Sequence, residues 1–132
     1  MQGILLVEDD KEVRQLIGEM LRRRGYLVVE AGSGAEALEA AKRDPHPIGL
    51  LIADVVMPGM CGPELTEMLT AVRPEIRVLY ISGYPEERLR FWGVSYGEPN
   101  FLAKPFTQSR LISKLDEVLK RPQTPVDPAG VV

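Results

Sequence analysis

Ile48-Gly-Leu-Leu-Ile-Ala-Asp54, "IGLLIAD", decides how the rest of the chain is read. Its apolar residues run without alternation and stop at a single carboxylate. A strand with one wet face alternates apolar and polar residues, whereas an unbroken apolar run must be covered on both faces. "ILLVE" (4–8) has the same character, with only its last residue polar. "YLVVE" (26–30), "IRVLYIS" (76–82) and the short "NFLA" (100–103) complete a set of five candidate strands.

Helical stretches separate them. After the first strand, Val13, Leu16, Ile17, Met20 and Leu21 recur at helical spacing, and Gly25 marks the stop. "SGAEALEAAKR" (33–43) reads as a helix capped by Ser33 and closed by a turn at Pro45 and Pro47. Pro63 suits the first turn of a helix that runs to about Val72. A short helix is expected from Pro85 to about Trp92. The last runs from about Thr107 to Lys120 and buries Leu111, Ile112, Leu115, Val118 and Leu119. Strands alternating with helices give an α/β domain: one five-stranded parallel sheet with five helices distributed over both faces. The 132 residues fit one domain, residues 1–121, followed by a Pro-rich tail or linker at 122–132.

Composition narrows the function. With 45% hydrophobic and 27% charged residues the chain reads as an ordinary soluble domain, and a net charge of −3 speaks against a nucleic-acid surface. The basic run Arg22-Arg23-Arg24 falls at a helix end, where it complements the dipole and is expected to be solvated. Cys61 is the one cysteine, so no disulfide framework exists and a cytoplasmic location is expected. His46, between two prolines, reads as part of a turn. No apolar stretch approaches the ~18 residues of a membrane span. No signal peptide is expected ahead of a first strand that starts almost at Met1, nor an output domain after the last helix.

The polar residues at the strand ends carry the chemistry. In open α/β sheets ligands bind beyond the carboxyl ends of the strands. Glu8 and Asp9 end the first strand, Asp54 the third and Ser82 the fourth, while Lys104 follows the fifth. Any one of these is most simply a turn former or cap; four strand ends converging on one edge are not explained that way. Close carboxylates repel one another by roughly a few kcal/mol per pair at an effective dielectric of about 20. Either their pKa values rise or a cation neutralises them. An all-oxygen set suits Mg²⁺, which readily shares a phosphate ligand. Lys104 and the Ser82 hydroxyl then face an anion such as a phosphoryl group, with the Asp54 carboxylate as its nucleophile. Asp10 falls where the first helix begins and reads as its cap.

The set "LLVEDD", "LLIADVVMPGMCG", "VLYISGY" and "FLAKPF" resembles the receiver domain of two-component response regulators over residues 3 to about 121. The resemblance implies a flavodoxin-like sheet in the order 2-1-3-4-5. It makes Asp54 the phosphoacceptor and Glu8, Asp9, Asp54 and the Val56 backbone carbonyl the Mg²⁺ site, with Glu8 acting mainly through water. Ser82 bonds a phosphoryl oxygen, and Lys104 pairs with the phosphoryl group or, without it, with Asp54. Lys104-Pro105 becomes a candidate cis bond. Phe101 stands at the aromatic switch position and is expected to follow Ser82 inward, although it has no hydroxyl with which to anchor. The partners implied are a sensor histidine kinase or histidine phosphotransfer protein, and a downstream protein on the face of the fourth helix, fifth strand and fifth helix. The "MPGMCGPEL" and "YISGYPEE" stretches look most like receivers attached to hybrid sensor kinases. Gly83 stands where a slightly larger residue is usual, and Val56 and Tyr84 flank the path of a hydrolytic water.

Other readings compete. "GSGAEA" (32–37) matches the G-x-G-x-x-G/A dinucleotide fingerprint, follows a strand and opens a helix. It lies on the second strand–helix unit and leaves Ser82, Lys104 and the acid pair unexplained. An aspartate-nucleophile phosphatase would carry a second carboxylate two residues after Asp54, where this chain has Val56. A receiver-like interaction module that is never phosphorylated also fits the same residues.

Overall fold

The computed structural model describes residues 3–43 and 47–120. Five parallel strands form one sheet in the order β2-β1-β3-β4-β5. They are β1 (Gly3–Val7), β2 (Val28–Ala31), β3 (Ile48–Asp54), β4 (Arg77–Ser82) and β5 (Phe101–Ala103). The helices are α1 (Lys11–Arg23), α2 (Gly34–Arg43), α3 (Gly62–Val72), α4 (Glu86–Leu89) and α5 (Gln108–Lys120), with a 3-10 turn at Arg90–Trp92.

The strand pleat sorts the apolar residues into two layers. Leu6, Leu50, Ile52, Leu79 and Ile81 point to one face and pack against Ile17 and Leu21 of α1 and Leu111 and Leu115 of α5. Leu5, Val7, Leu51 and Ala53 point to the other and meet Ala37 of α2 and Leu65 and Leu69 of α3. Every residue of β1 and β3 is buried, as the unbroken apolar runs require. A smaller cluster of Val55, Tyr80, Leu89, Val94 and Phe101 supports the corner beside α4.

Most expected boundaries fall within a residue or two of those observed, and the departures have local causes. Glu8 lies just past β1, though its N–H still bonds the Ala31 carbonyl, and its side chain bonds Lys104 and the Asp10 N–H. Tyr26 precedes β2, its N–H bonding Leu21 O in the turn that closes α1. Asp10 caps α1 through Oδ1, which accepts from the Glu12 and Val13 N–H groups. Gly25 takes φ +89 just beyond the C-cap Arg24. Leu16, expected in the core, is 55% exposed: it lies at the outer margin of the apolar stripe of α1. The expected helix after Pro85 divides into one α-turn and one 3-10 turn, stopped by Gly93 at φ +71. Arg22 is exposed at the end of α1, as expected, and in addition pairs with Glu30 at 2.9 Å and donates to the Val28 carbonyl. His46, the turn expected at Pro45 and the tail at 122–132 lie outside the described residues.

Candidate functional site

The β1–α1 turn, the end of β3 and the loop after β5 meet at one edge. Glu8 is 1% exposed, Asp54 6% and Ser82 0%, while Asp9 faces solvent. Glu8, Asp9 and Asp54 can each bring a carboxylate oxygen within 4.8 Å of the others. Lys104 Nζ donates to Glu8 Oε2 at 2.5 Å and to Asp54 Oδ2 at 2.8 Å. The Lys104-Pro105 bond is cis, as expected.

The electrostatics follow from one ammonium, bonded to two of the three carboxylates. When all three are ionised, two negative charges remain uncompensated, the charge that a divalent cation carries. Burial is the main reason that the Glu8 pKa rises from 4.5 to about 7; the Asp54 charge adds to the rise, and the bond from Lys104 opposes it. Burial pulls the Lys104 pKa down, but its bonds to Asp54 and Glu8 outweigh that and hold the ammonium above its ordinary value. The donors are hard oxygens, few in number and open to solvent on the Asp9 side. Such a set fits Mg²⁺, which retains several waters.

The surrounding backbone holds these groups in place. Asp54 Oδ1 accepts from the Val56 N–H at 3.1 Å, and the Val55 N–H bonds Ile81 O across the sheet. Gly62 closes the β3–α3 loop against the site: a Cβ there would lie 2.6 Å from the Asp54 carbonyl oxygen. Arg14 Nη1 donates to Glu8 O at 2.8 Å, and its Nε lies 3.4 Å from Glu30 Oε1. Ser82 Oγ accepts from the Tyr84 N–H at 3.0 Å. Phe101 is 3% exposed and packs in the corner cluster. The expected residues therefore gather at one edge, except that Phe101 belongs to the adjoining corner.

Gly62 and Arg14 escape sequence reasoning. Gly62 is one of two glycines in an irregular loop, and only its approach to Asp54 distinguishes it. Arg14 carries a weak signal, a cation one turn into a helix whose start is acidic.

The competing glycine motif has a local explanation. Glu36 Oε2 accepts the Gly32 N–H and Ser33 Oγ accepts the Glu36 N–H, a reciprocal cap at the start of α2. A carboxylate therefore already occupies the Gly32 amide that a pyrophosphate would need. A Cβ on Gly34 would lie 2.6 Å from Met60 Sδ, so close packing explains that glycine. Cys61 is buried, its thiol donates to Glu64 at 3.2 Å, and burial pushes its pKa up, which disfavours the thiolate.

The chain is similar in sequence and fold to known proteins. The chain is 37% identical over 118 residues to the sensor kinase CckA of Brucella abortus, covering 89% of this chain but only 12% of that protein. It is 32% identical to the response regulator receiver protein CpdR of the same organism, covering 90% of this chain and 98% of the relative. The crystal structure of the receiver domain from the hybrid histidine kinase CckA superposes with a TM-score of 0.72 at 38% identity, covering 89% and 98% of the two chains. The Vibrio cholerae chemotaxis protein CheY4 superposes with a TM-score of 0.77 at 28% identity, over the same shares. Residues 4–116 match the response regulator receiver domain, and with the acid cluster and Lys104 on the expected strand ends, this chain belongs to that family.

Proposed function

We propose that the domain is a phosphoacceptor of a two-component or phosphorelay system, with Asp54 taking a phosphoryl group from a phosphohistidine. The observation that carries this reading is the Lys104 ammonium held between Glu8 and Asp54 beside an open carboxylate, Asp9. An Asp54 oxygen attacks phosphorus, the P–N bond breaks, and its electron pair leaves with the imidazole nitrogen of the donor. Glu8, Asp9, Asp54 and the Val56 carbonyl would hold Mg²⁺, which when bound would supply positive charge to offset the phosphoryl oxygens. Lys104 exchanges an Asp54 oxygen for a phosphoryl oxygen, and Ser82 donates its hydroxyl to another. Positioning and charge neutralisation dominate such transfers.

The donor is a sensor histidine kinase or a histidine phosphotransfer protein in the cytoplasm. An apolar groove lined by Val13, Leu16, Ile17, Met20, Pro105 and Phe106 adjoins Lys104, and gives a donor helix a surface beside the site. The exposed Leu16 is explained if it belongs to that contact. Slow self-dephosphorylation follows when water attacks the phosphorus and returns the Asp54 carboxylate, with Val56 and Tyr84 obstructing its approach. Ser82 and Phe101 couple the site to a downstream protein on the α4–β5–α5 face. Among the described residues no helix is long and apolar enough to cross a membrane. Both a free-standing regulator and a receiver within a hybrid kinase fit the two relatives.

The test is transfer from a phosphorylated histidine phosphotransfer protein in the presence of Mg²⁺. Label should move to this chain and stay on the donor with Asp54→Asn. Transfer that survives Asp54→Asn would place the acceptor elsewhere.

A further inference from the structure

Phe101 stands where an aromatic ring is expected to swing inward, yet it is already buried at 3% exposure and has no hydroxyl. A neighbouring side chain supplies both the cover and the hydroxyl. The Tyr96 ring stacks on Phe101 with centroids 4.9 Å apart and planes at 24°. Its phenolic O–H donates to the Tyr84 carbonyl at 2.6 Å. The other side of the same residue is also engaged, because the Tyr84 N–H donates to Ser82 Oγ at 3.0 Å. The backbone of Tyr84 is therefore held between Tyr96 and Ser82.

Besides these bonds, the Lys104 N–H holds the Ser82 carbonyl at 2.8 Å and Trp92 meets the Tyr84 ring edge-on. Gly83 is exposed, and a Cβ there would meet only the Lys104 Cβ, at an ordinary 3.7 Å. Ser82 is fully buried, so its hydroxyl oxygen needs a partner inside the protein, and at rest that partner is the Tyr84 amide. To meet a phosphoryl group on Asp54, Ser82 Oγ has to leave the loop side or take the loop with it. Taking the loop along works against the bond from Tyr96, and leaving it behind strips the Tyr84 amide, which that bond holds in place, of its partner.

We infer that Tyr96 is a positioning residue for Ser82: it pins the β4–α4 loop at rest and so opposes the turn of the Ser82 hydroxyl toward a phosphorylated Asp54. The inference rests on the phosphoacceptor reading above and adds a restraint set by a residue outside the site. Tyr96 acts through Tyr84 and touches neither Asp54 nor the acid pair.

The single tryptophan of the chain provides a reporter. Trp92 meets Tyr84 edge-on, with centroids 6.4 Å apart, so its emission senses the loop. The experiment titrates wild type, Tyr96→Phe, Ser82→Ala and the double variant with beryllofluoride and Mg²⁺, the complex standing in for the aspartyl phosphate. Tyr96→Phe keeps the stacked ring and removes only the hydrogen bond. It should half-saturate at a ligand concentration about two- to ten-fold lower than wild type, the ratio expected for one hydrogen bond. Its ligand-free and metal-free Trp92 emission should already lie part-way toward that of the saturated wild type. In the Ser82→Ala background the same change should leave the midpoint unmoved. A normal wild-type titration with an unchanged or weakened Tyr96→Phe overturns the positioning role and leaves the phosphoacceptor reading intact. An equal shift with and without Ser82 also overturns it, because Tyr96 would then act on the fold alone. A wild type that does not bind the complex removes both readings.

Discussion

The acid site and the corner beside α4 share strand β4 and are held in different ways. The site stands on β1 and β3, buried along their whole length, and is tied by Lys104 to two carboxylates and by Arg14 to the Glu8 backbone. The corner rests on a four-residue helix and a 3-10 turn, with Leu89, Val94 and Phe101 as its buried anchors. Phe91, in that turn, is 87% exposed. Strand ends packed on both faces hold reacting groups in fixed geometry, while a thinly anchored segment changes position at small cost. Under the proposed function, charge would change at the first of these and be read at the second.

Substitutions in the two regions should separate them. Gly62→Ala should have the largest effect, because its Cβ would lie 2.6 Å from backbone that cannot yield without moving Asp54. A loss of about 2–3 kcal/mol in urea unfolding is expected, of the order typical of overpacking. Lys104→Met leaves Glu8 and Asp54 without their shared ammonium and should cost about 2 kcal/mol in metal-free buffer. Mg²⁺ should restore much of that loss, and equal losses with and without the metal would contradict the charge account. Asp10→Ala removes the α1 cap and should cost about 1 kcal/mol while leaving Mg²⁺ affinity unchanged. Phe91→Ser should change stability by less than about 0.5 kcal/mol, as exposed positions do.

The site also makes a prediction about pH. The Glu8 pKa is raised in the folded protein, from 4.5 to about 7, so the native state binds this proton more tightly than the unfolded chain does. In metal-free protein the Glu8 contribution to stability should therefore fall as pH rises between those values and level off above them. Mg²⁺ requires the ionised carboxylate, so its stabilising effect should grow across the same window. Thermal unfolding with EDTA and with Mg²⁺ across this range measures both trends. A Glu8→Gln variant should flatten the metal-free slope.

The same contrast governs what the sequence discloses. β1 and β3 are legible because burial on both faces leaves an unbroken apolar signature, and Glu8, Asp54, Ser82 and Lys104 because topology carries strand ends to one edge. The Asp10 cap and the Ser33 cap are local, so residue type and spacing suffice for them. Gly62 and Arg14 depend on distances between elements that no local pattern encodes. Leu16 has the spacing of a core residue, and only the arrangement of α1 against the loop after β5 shows that it borders a groove. Tyr96 lies in an irregular segment with no periodicity, and its importance arises from two partners, Phe101 and Tyr84, met only in the folded chain.

On the proposed function, Asp54 accepts a phosphoryl group with the help of Mg²⁺ and the strand-end cluster. Intact-mass measurement after incubation with acetyl phosphate and Mg²⁺ tests it most directly. The account predicts a gain of one phosphoryl group that is lost with EDTA and with Asp54→Asn. An unphosphorylated wild type, or a gain of mass that persists in Asp54→Asn, would contradict it.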